Sequence, residues 1–251
     1  MVDTIEIEMD GGTCEAYVAR PEVADGPEGP YPGVLFFIDV IGVRPRIAEM
    51  AQRIADWGYV VLAPNVFWRK GTVAQTSPDE DLRVEGARER FMQGAAKRMR
   101  SLTTELVEAD IPVYLETLRD LDDVDAGPVG TTGYCMGARL AVRAAGLDDD
   151  VAAVAGFHGG GLVTNEVDSP HRSLAKADAE FYFGHADNDG SMPPEAVEAL
   201  GRALEAAGLA GTNEVYAGAP HGYSMSDTSA YDEEATERHF RELEELFDRT
   251  L

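Results

Sequence analysis

The chain has 251 residues, enough for one large α/β domain or two small ones. Hydrophobic residues make up 44%, which supplies a sizeable core and excludes bulk disorder. Lysine plus arginine number 21 against 46 aspartates and glutamates, a formal charge of −25 that excludes a general basic face for nucleic acid and disfavours anionic membrane surfaces.

The opening reads as a hairpin. Ile5, Ile7 and Met9 alternate with polar residues, Asp10-Gly11-Gly12 turns, and residues 14–19 return. A Pro/Gly-rich loop over 21–32 follows. The period then changes: residues 34–38 are a short apolar run of the kind buried on both faces of a sheet. Ile47, Met50, Ile54 and Trp57 form one helical stripe ended by Gly58, and residues 59–63 are a second buried strand stopped by Pro64. Residues 68–100 are polar, with a helix expected from 82 to 100. Pro112 is expected in the first turn of a helix running to Leu121. A third strand, 128–134, leads into Cys135 and a helix to Gly146. Strands are expected at 151–157, 180–183 and 213–216, and helices at 194–207 and 230–249. Strands alternating with helices predict a mostly parallel central sheet with helices on both faces. No linker interrupts the pattern, so one domain over 1–251 is expected.

Two cysteines, Cys14 and Cys135, are too few for a disulfide framework, and no C-x-x-C pair is present for zinc or redox work. The N-terminus lacks a basic-then-apolar leader, and the longest apolar run is far short of a membrane span. A soluble cytoplasmic protein is expected, a monomer or small homo-oligomer, with no metal and no cofactor.

Gly133-Tyr134-Cys135-Met136-Gly137 lies where strand meets helix. It is G-x-C-x-G, the cysteine form of the nucleophile elbow. Side chains at 133 and 137 would collide with the sharp turn. The turn lifts the Cys135 sulfur clear of the sheet and sets it at a helix N-terminus, which favours thiolate. The Met136 amide then points where an oxyanion would form. Alone, the pentapeptide also fits a buried cysteine in a tight turn. The elbow predicts an acid and then a histidine further along the chain. Asp187 and Asp189 follow one strand and His221 follows the next. Of the other histidines, His239 reads as a surface residue in an acidic helix, His171 as a loop residue, and His158 and His185 as strand-end residues. Spacing does not choose between Asp187 and Asp189.

With these pieces the chain resembles the dienelactone hydrolase family of α/β-hydrolases from about residue 3 to 248. The matching segments are residues 37–43, 58–64, 133–137, the Asp187/Asp189 loop and His221-Gly222-Tyr223. The resemblance implies an α/β-hydrolase fold and a Cys-His-Asp triad that cleaves a small ester or lactone through a thioester. Cys135 matches the nucleophile and His221 the base. The family's acid stands four residues before a proline, which implies Asp189 over Asp187. Val40 matches a second oxyanion donor beside Met136. A family glutamate that contacts the resting thiol is matched by Asp39, one methylene shorter; its other reading is a cap on the following helix. The family's dienelactone-binding arginine, four residues after the histidine, is matched by Met225, and Arg83, Arg88 and Arg90 lie in a stretch that does not align. A neutral or less charged ester or lactone is therefore expected. A class I amidotransferase-like enzyme shares the elbow, but the glutamate expected two residues after its histidine is Tyr223. The remaining alternative is a non-catalytic ligand-binding or sensor protein on the same fold.

Overall fold

The computed structural model describes residues 2–22 and 29–251; half of the Pro/Gly-rich loop expected over 21–32, residues 23–28, lies outside the described residues. The elements, in chain order, are β1 (Val2–Met9), β2 (Gly12–Ala19), β3 (Gly33–Phe37), α1 (Pro45–Ala55), β4 (Val60–Pro64), a short α2 (Val73–Thr76), α3 (Ala87–Arg100), α4 (Thr104–Arg119), β5 (Val129–Tyr134), α5 (Gly137–Ala145), β6 (Val151–Phe157), β7 (Glu180–Ala186), α6 (Pro194–Ala207), β8 (Gly211–Tyr216) and α7 (Glu233–Thr250). Eight strands form one sheet in the order β1-β2-β4-β3-β5-β6-β7-β8. β1 is antiparallel to β2 and β2 to β4; the rest of the sheet is parallel.

The central strands β3, β4 and β5 are buried along their whole length, because helices cover both faces. Residue alternation along β5 sorts these helices. The Thr131 hydroxyl donates to Ala141 of α5, whereas a side chain at the neighbouring Gly130 would strike Phe247 and Leu251 at the end of α7. α7 shares its face with α1 through the Trp57–Phe240 edge contact and the Arg53–Glu237 ion pair.

Three expectations shift. Pro112 sits mid-helix, not in a first turn: α4 begins at Thr104, capped by the Thr103 hydroxyl, which accepts from the Leu106 amide. Pro112 is on the exposed side, and the buried stripe of Val107, Ile111, Tyr114, Leu115 and Leu118 holds the helix through it. α3 starts at Ala87 instead of 82, because Gly86 adopts a left-handed φ of 75° at its N-cap. His239 is fully buried, packed edge-on to Phe157 and within 3.3 Å of the Tyr134 hydroxyl. Burial drives its pKa down to about 3, so it is a neutral core residue under the strand that carries the elbow. Among the described residues no helix is long and apolar enough to cross a membrane.

Candidate active site

The turn from β5 into α5 is as tight as its glycines suggest. A Cβ on Gly133 would lie 2.3 Å from the Gly137 carbonyl oxygen, and one on Gly137 would lie 2.3 Å from that of Phe37 at the end of β3. Cys135 between them takes a φ of 55°, a left-handed conformation that costs a non-glycine residue about 1–3 kcal/mol. Strand β6 and the loop after it hold it there: the Cys135 amide donates to Phe157 at 3.1 Å, and its carbonyl accepts from Gly160 at 3.3 Å.

Two further strand ends bring partners to the sulfur. His221 follows β8, and its Nε2 lies 3.1 Å from Cys135 Sγ. Asp189 follows β7, and its Oδ2 lies 2.6 Å from His221 Nδ1. The second oxygen, Oδ1, accepts from the Ser191 amide at 2.8 Å and hydroxyl at 2.7 Å, which fixes the carboxylate's orientation. Asp187 faces the other way. Its Oδ2 accepts from the Gly218 amide at 2.9 Å and its own amide donates to Ala219, so it ties the β7 loop to the β8 loop. With Nδ1 held by Asp189, which can only accept, Nε2 is the ring nitrogen that faces the sulfur and can exchange a proton with it.

Burial opposes the charged form of His221, but the adjacent Cys135 sulfur as thiolate, together with the Asp189 hydrogen bond and charge, outweighs it and raises the pKa to about 10. Burial likewise works against the Asp189 carboxylate, yet the His221 hydrogen bond and charge and the two Ser191 donors hold it at about 2.

Val40, in the loop after β3, and Met136, at the elbow, both line a cavity of about 360 Å³ with Cys135 and His221. Among the described residues neither amide donates to another protein group. The lack of a Cβ at Gly137 lets the start of α5 press directly against the Phe37 and Ile38 peptides at the end of β3.

Asp39, which the resemblance matches to the thiol-contacting glutamate, has its carboxylate engaged by Arg44. Its Oδ1 and Oδ2 accept from Arg44 at 2.7 and 3.0 Å, and Oδ1 also accepts from the Ile41 amide at 3.0 Å. Arg44 is itself buried, is shared with Asp227, and touches Met225 Sδ at 3.2 Å. The buried guanidinium, two hydrogen bonds strong, anchors the carboxylate beside the loop that carries Val40, in a cleft that Cys135 also lines.

Of the three arginines left unaligned by sequence, Arg83 pairs with Asp81 and Arg90 with Glu80 at the surface; Arg88 lines a separate, smaller cleft beside Cys135, His158 and Met225, and donates to the His221 carbonyl at 3.2 Å. His158, fully buried at the end of β6, sets its ring 5.4 Å from that of His221, and its Nε2 lies 2.8 Å from the Ser224 hydroxyl. Desolvation and the neighbouring His221 keep it well below the ordinary histidine range, so it is a neutral wall. Sequence reasoning did not find Arg44, Ser191 or Ser224. Only Ser191 left a signal, two residues after an aspartate in a loop, where its amide and hydroxyl both reach back. Among the described residues no three His, Cys, Asp or Glu side chains converge as metal ligands.

A mostly parallel sheet covered by helices, with a sharp strand-to-helix turn after β5, is the α/β-hydrolase fold. Residues 14–251 match the profile of the dienelactone hydrolase family, and the chain belongs to that family, a hydrolase of the carboxylic ester and lactone class. A Synechocystis protein provisionally named a carboxymethylenebutenolidase is 25% identical over 239 residues, covering 94% of this chain and 91% of its own. A provisionally named dienelactone hydrolase of Klebsiella pneumoniae superposes with a TM-score of 0.77 at 23% identity, over 99% of this chain and 98% of its own. A dienelactone hydrolase of Anabaena variabilis superposes with a TM-score of 0.70 at 16% identity, over 100% and 98%.

Proposed function

We propose that the protein cleaves a small carboxylic ester or lactone by nucleophilic catalysis at Cys135, with His221 as base and Asp189 as its orienting acid. The observation that carries this reading is the unbroken relay from Asp189 through His221 to the Cys135 sulfur on the wall of a cavity. His221 takes the thiol proton and the sulfur attacks the carbonyl carbon. The oxyanion is held by the Val40 and Met136 amides. The intermediate collapses, the C–O bond breaks, and the alkoxide leaves with the proton from His221. A thioester remains on Cys135. With the sulfur acylated, the thiolate charge that raises the His221 pKa is gone, so the ring, having given its proton to the alkoxide, stays neutral and can take one from water in the second half-reaction. Water adds to the thioester, the acid departs, and the thiol is restored.

The test is p-nitrophenyl acetate hydrolysis with intact-mass analysis of the acid-quenched reaction. Wild type is expected to show a burst and an acetyl adduct, and Cys135→Ala neither, while keeping its folded circular dichroism. Turnover by Cys135→Ala comparable to wild type would rule out the nucleophile.

A further inference from the structure

Arg139 is placed against three physical preferences at once. It is the third residue of α5, in the first turn, where the helix dipole disfavours a cation. It is half-buried, and its Nε is shielded from solvent with no hydrogen-bond partner. Among the described residues no carboxylate lies within 4.0 Å of its guanidinium, in a chain with more than two acids for every base. Burial accordingly lowers its pKa, with the Cys135 sulfur as the favourable charge nearby. The contrast is one turn away: Arg143, on the same helix, donates to Glu108 at 2.7 Å, to the Thr104 hydroxyl at 3.2 Å and to the Asp168 carbonyl.

Its location gives the mismatch a purpose. Arg139 lines the cavity that contains Cys135 and also a second one of about 200 Å³, and the two meet along Met99, Met136 and Arg139. The outer cavity carries Glu166 and Asp168 on its wall, so an anion would be stopped at the junction. We infer that Arg139 is a specificity-determining residue that anchors a carboxylate on a short arm of the substrate, with the scissile carbonyl at Cys135. The guanidinium fork, left open by the protein, is completed by the two carboxylate oxygens. This site is on α5, away from position 225, where methionine removes the cation seen in family members that bind dienelactone. The net charge of −25 does not forbid the ligand: at about 0.15 M salt, charges more than about 8 Å away are largely screened, whereas a half-buried contact pair is not.

The inference rests on the hydrolase reading, so its experiment has two arms. In the first, kcat/KM is measured by pH-stat for two pairs of esters that differ only by carboxylate in place of methyl: monomethyl succinate against methyl butyrate, and monomethyl glutarate against methyl valerate. Wild type is expected to favour the acidic member of at least one pair by about tenfold or more. Arg139→Gln should bring that ratio near one, and Arg139→Lys should keep part of it. A preference unmoved by Arg139→Gln, including an equal loss on both members of a pair, overturns the inference and leaves Arg139 as a support for the thiolate. In the second arm, succinate and glutarate binding is read by calorimetry on Cys135→Ala protein with and without Arg139→Gln. Binding that needs Arg139, without Cys135-dependent turnover of any ester, upholds the anion site and removes the hydrolase reading. Turnover without charge preference does the reverse. Because an uncompensated cation is being removed, Arg139→Gln should melt no lower than wild type.

Discussion

Asp187 and Asp189 differ in role only through what their oxygens meet. Asp189 faces His221 Nδ1 at 2.6 Å and is buttressed by Ser191; Asp187 faces a backbone amide at Gly218. An asparagine at 189 can present its NH2 to the ring, which stabilises the wrong tautomer and removes the charge that supports the imidazolium. Asp189→Asn is therefore expected to lower kcat/KM for p-nitrophenyl acetate by about a hundredfold or more. Asp187→Asn keeps an oxygen for the Gly218 amide and should cost about threefold at most, the size of a peripheral change. The opposite ranking would transfer the orienting role to Asp187. Sequence picked out Cys135 and His221, which lie 3.1 Å apart, because the elbow glycines and the histidine after β8 are local signals. The choice of aspartate came only through the resemblance. The partner of Asp39 was out of reach: Arg44 is five residues on with no periodicity to mark it, and the network is closed by Asp227, 183 residues from Arg44.

At the scale of elements, the site depends on how closely α5 approaches β3. The atoms that meet a Cβ at Gly137 are the Phe37 and Ile38 carbonyl oxygens, at 2.3 and 2.6 Å, and neither can swing aside as a side chain would. Gly137→Ala is expected to cost about 3 kcal/mol, a melting decrease of roughly 6–12 °C for a chain of this size. It should also abolish ester turnover, since the Met136 and Val40 amides are pushed apart. Gly94, in the interior of α3, meets nothing within 4 Å, so the same substitution there should raise stability by about 0.5–1 kcal/mol. Thermal unfolding of the two variants side by side checks both signs; equal effects would mean that the elbow relaxes around an added methyl. The order of strands and helices was legible because short apolar runs and amphipathic stripes alternate. Pro112 and His239 were misplaced because each was read by residue type. For both, tertiary packing decides: Pro112 rides on a buried stripe, and His239 exchanges a solvent position for the Tyr134 and Phe157 rings.

At the scale of the molecule, a net charge of −25 on 251 residues sets two electrostatic effects against each other. Uniform negative charge repels itself and favours expansion, while ion pairs such as Arg53–Glu237, Arg83–Asp81, Arg90–Glu80 and Arg202–Glu198 pull the surface together. Salt weakens both, so the sign of the response identifies the larger. These pairs have well-exposed side chains, and exposed pairs are worth about 0–1 kcal/mol each. The protected ones, Arg44–Asp39 and Arg69–Asp110, are screened least. The repulsion is long-ranged and sums over many unpaired carboxylates. It acts across about 30 Å at 0.01 M salt and across only about 3 Å at 1 M. Repulsion therefore wins, and the melting temperature is expected to rise by roughly 5 °C or more between 0.01 and 1 M potassium chloride, about 2 kcal/mol for a chain of this length. Chloride is the informative anion, because sulfate strengthens apolar burial in any protein and would raise the transition regardless of charge. A transition that stays level or falls across the same range would show that the ion pairs, not the excess of carboxylates, dominate the surface electrostatics of the folded state.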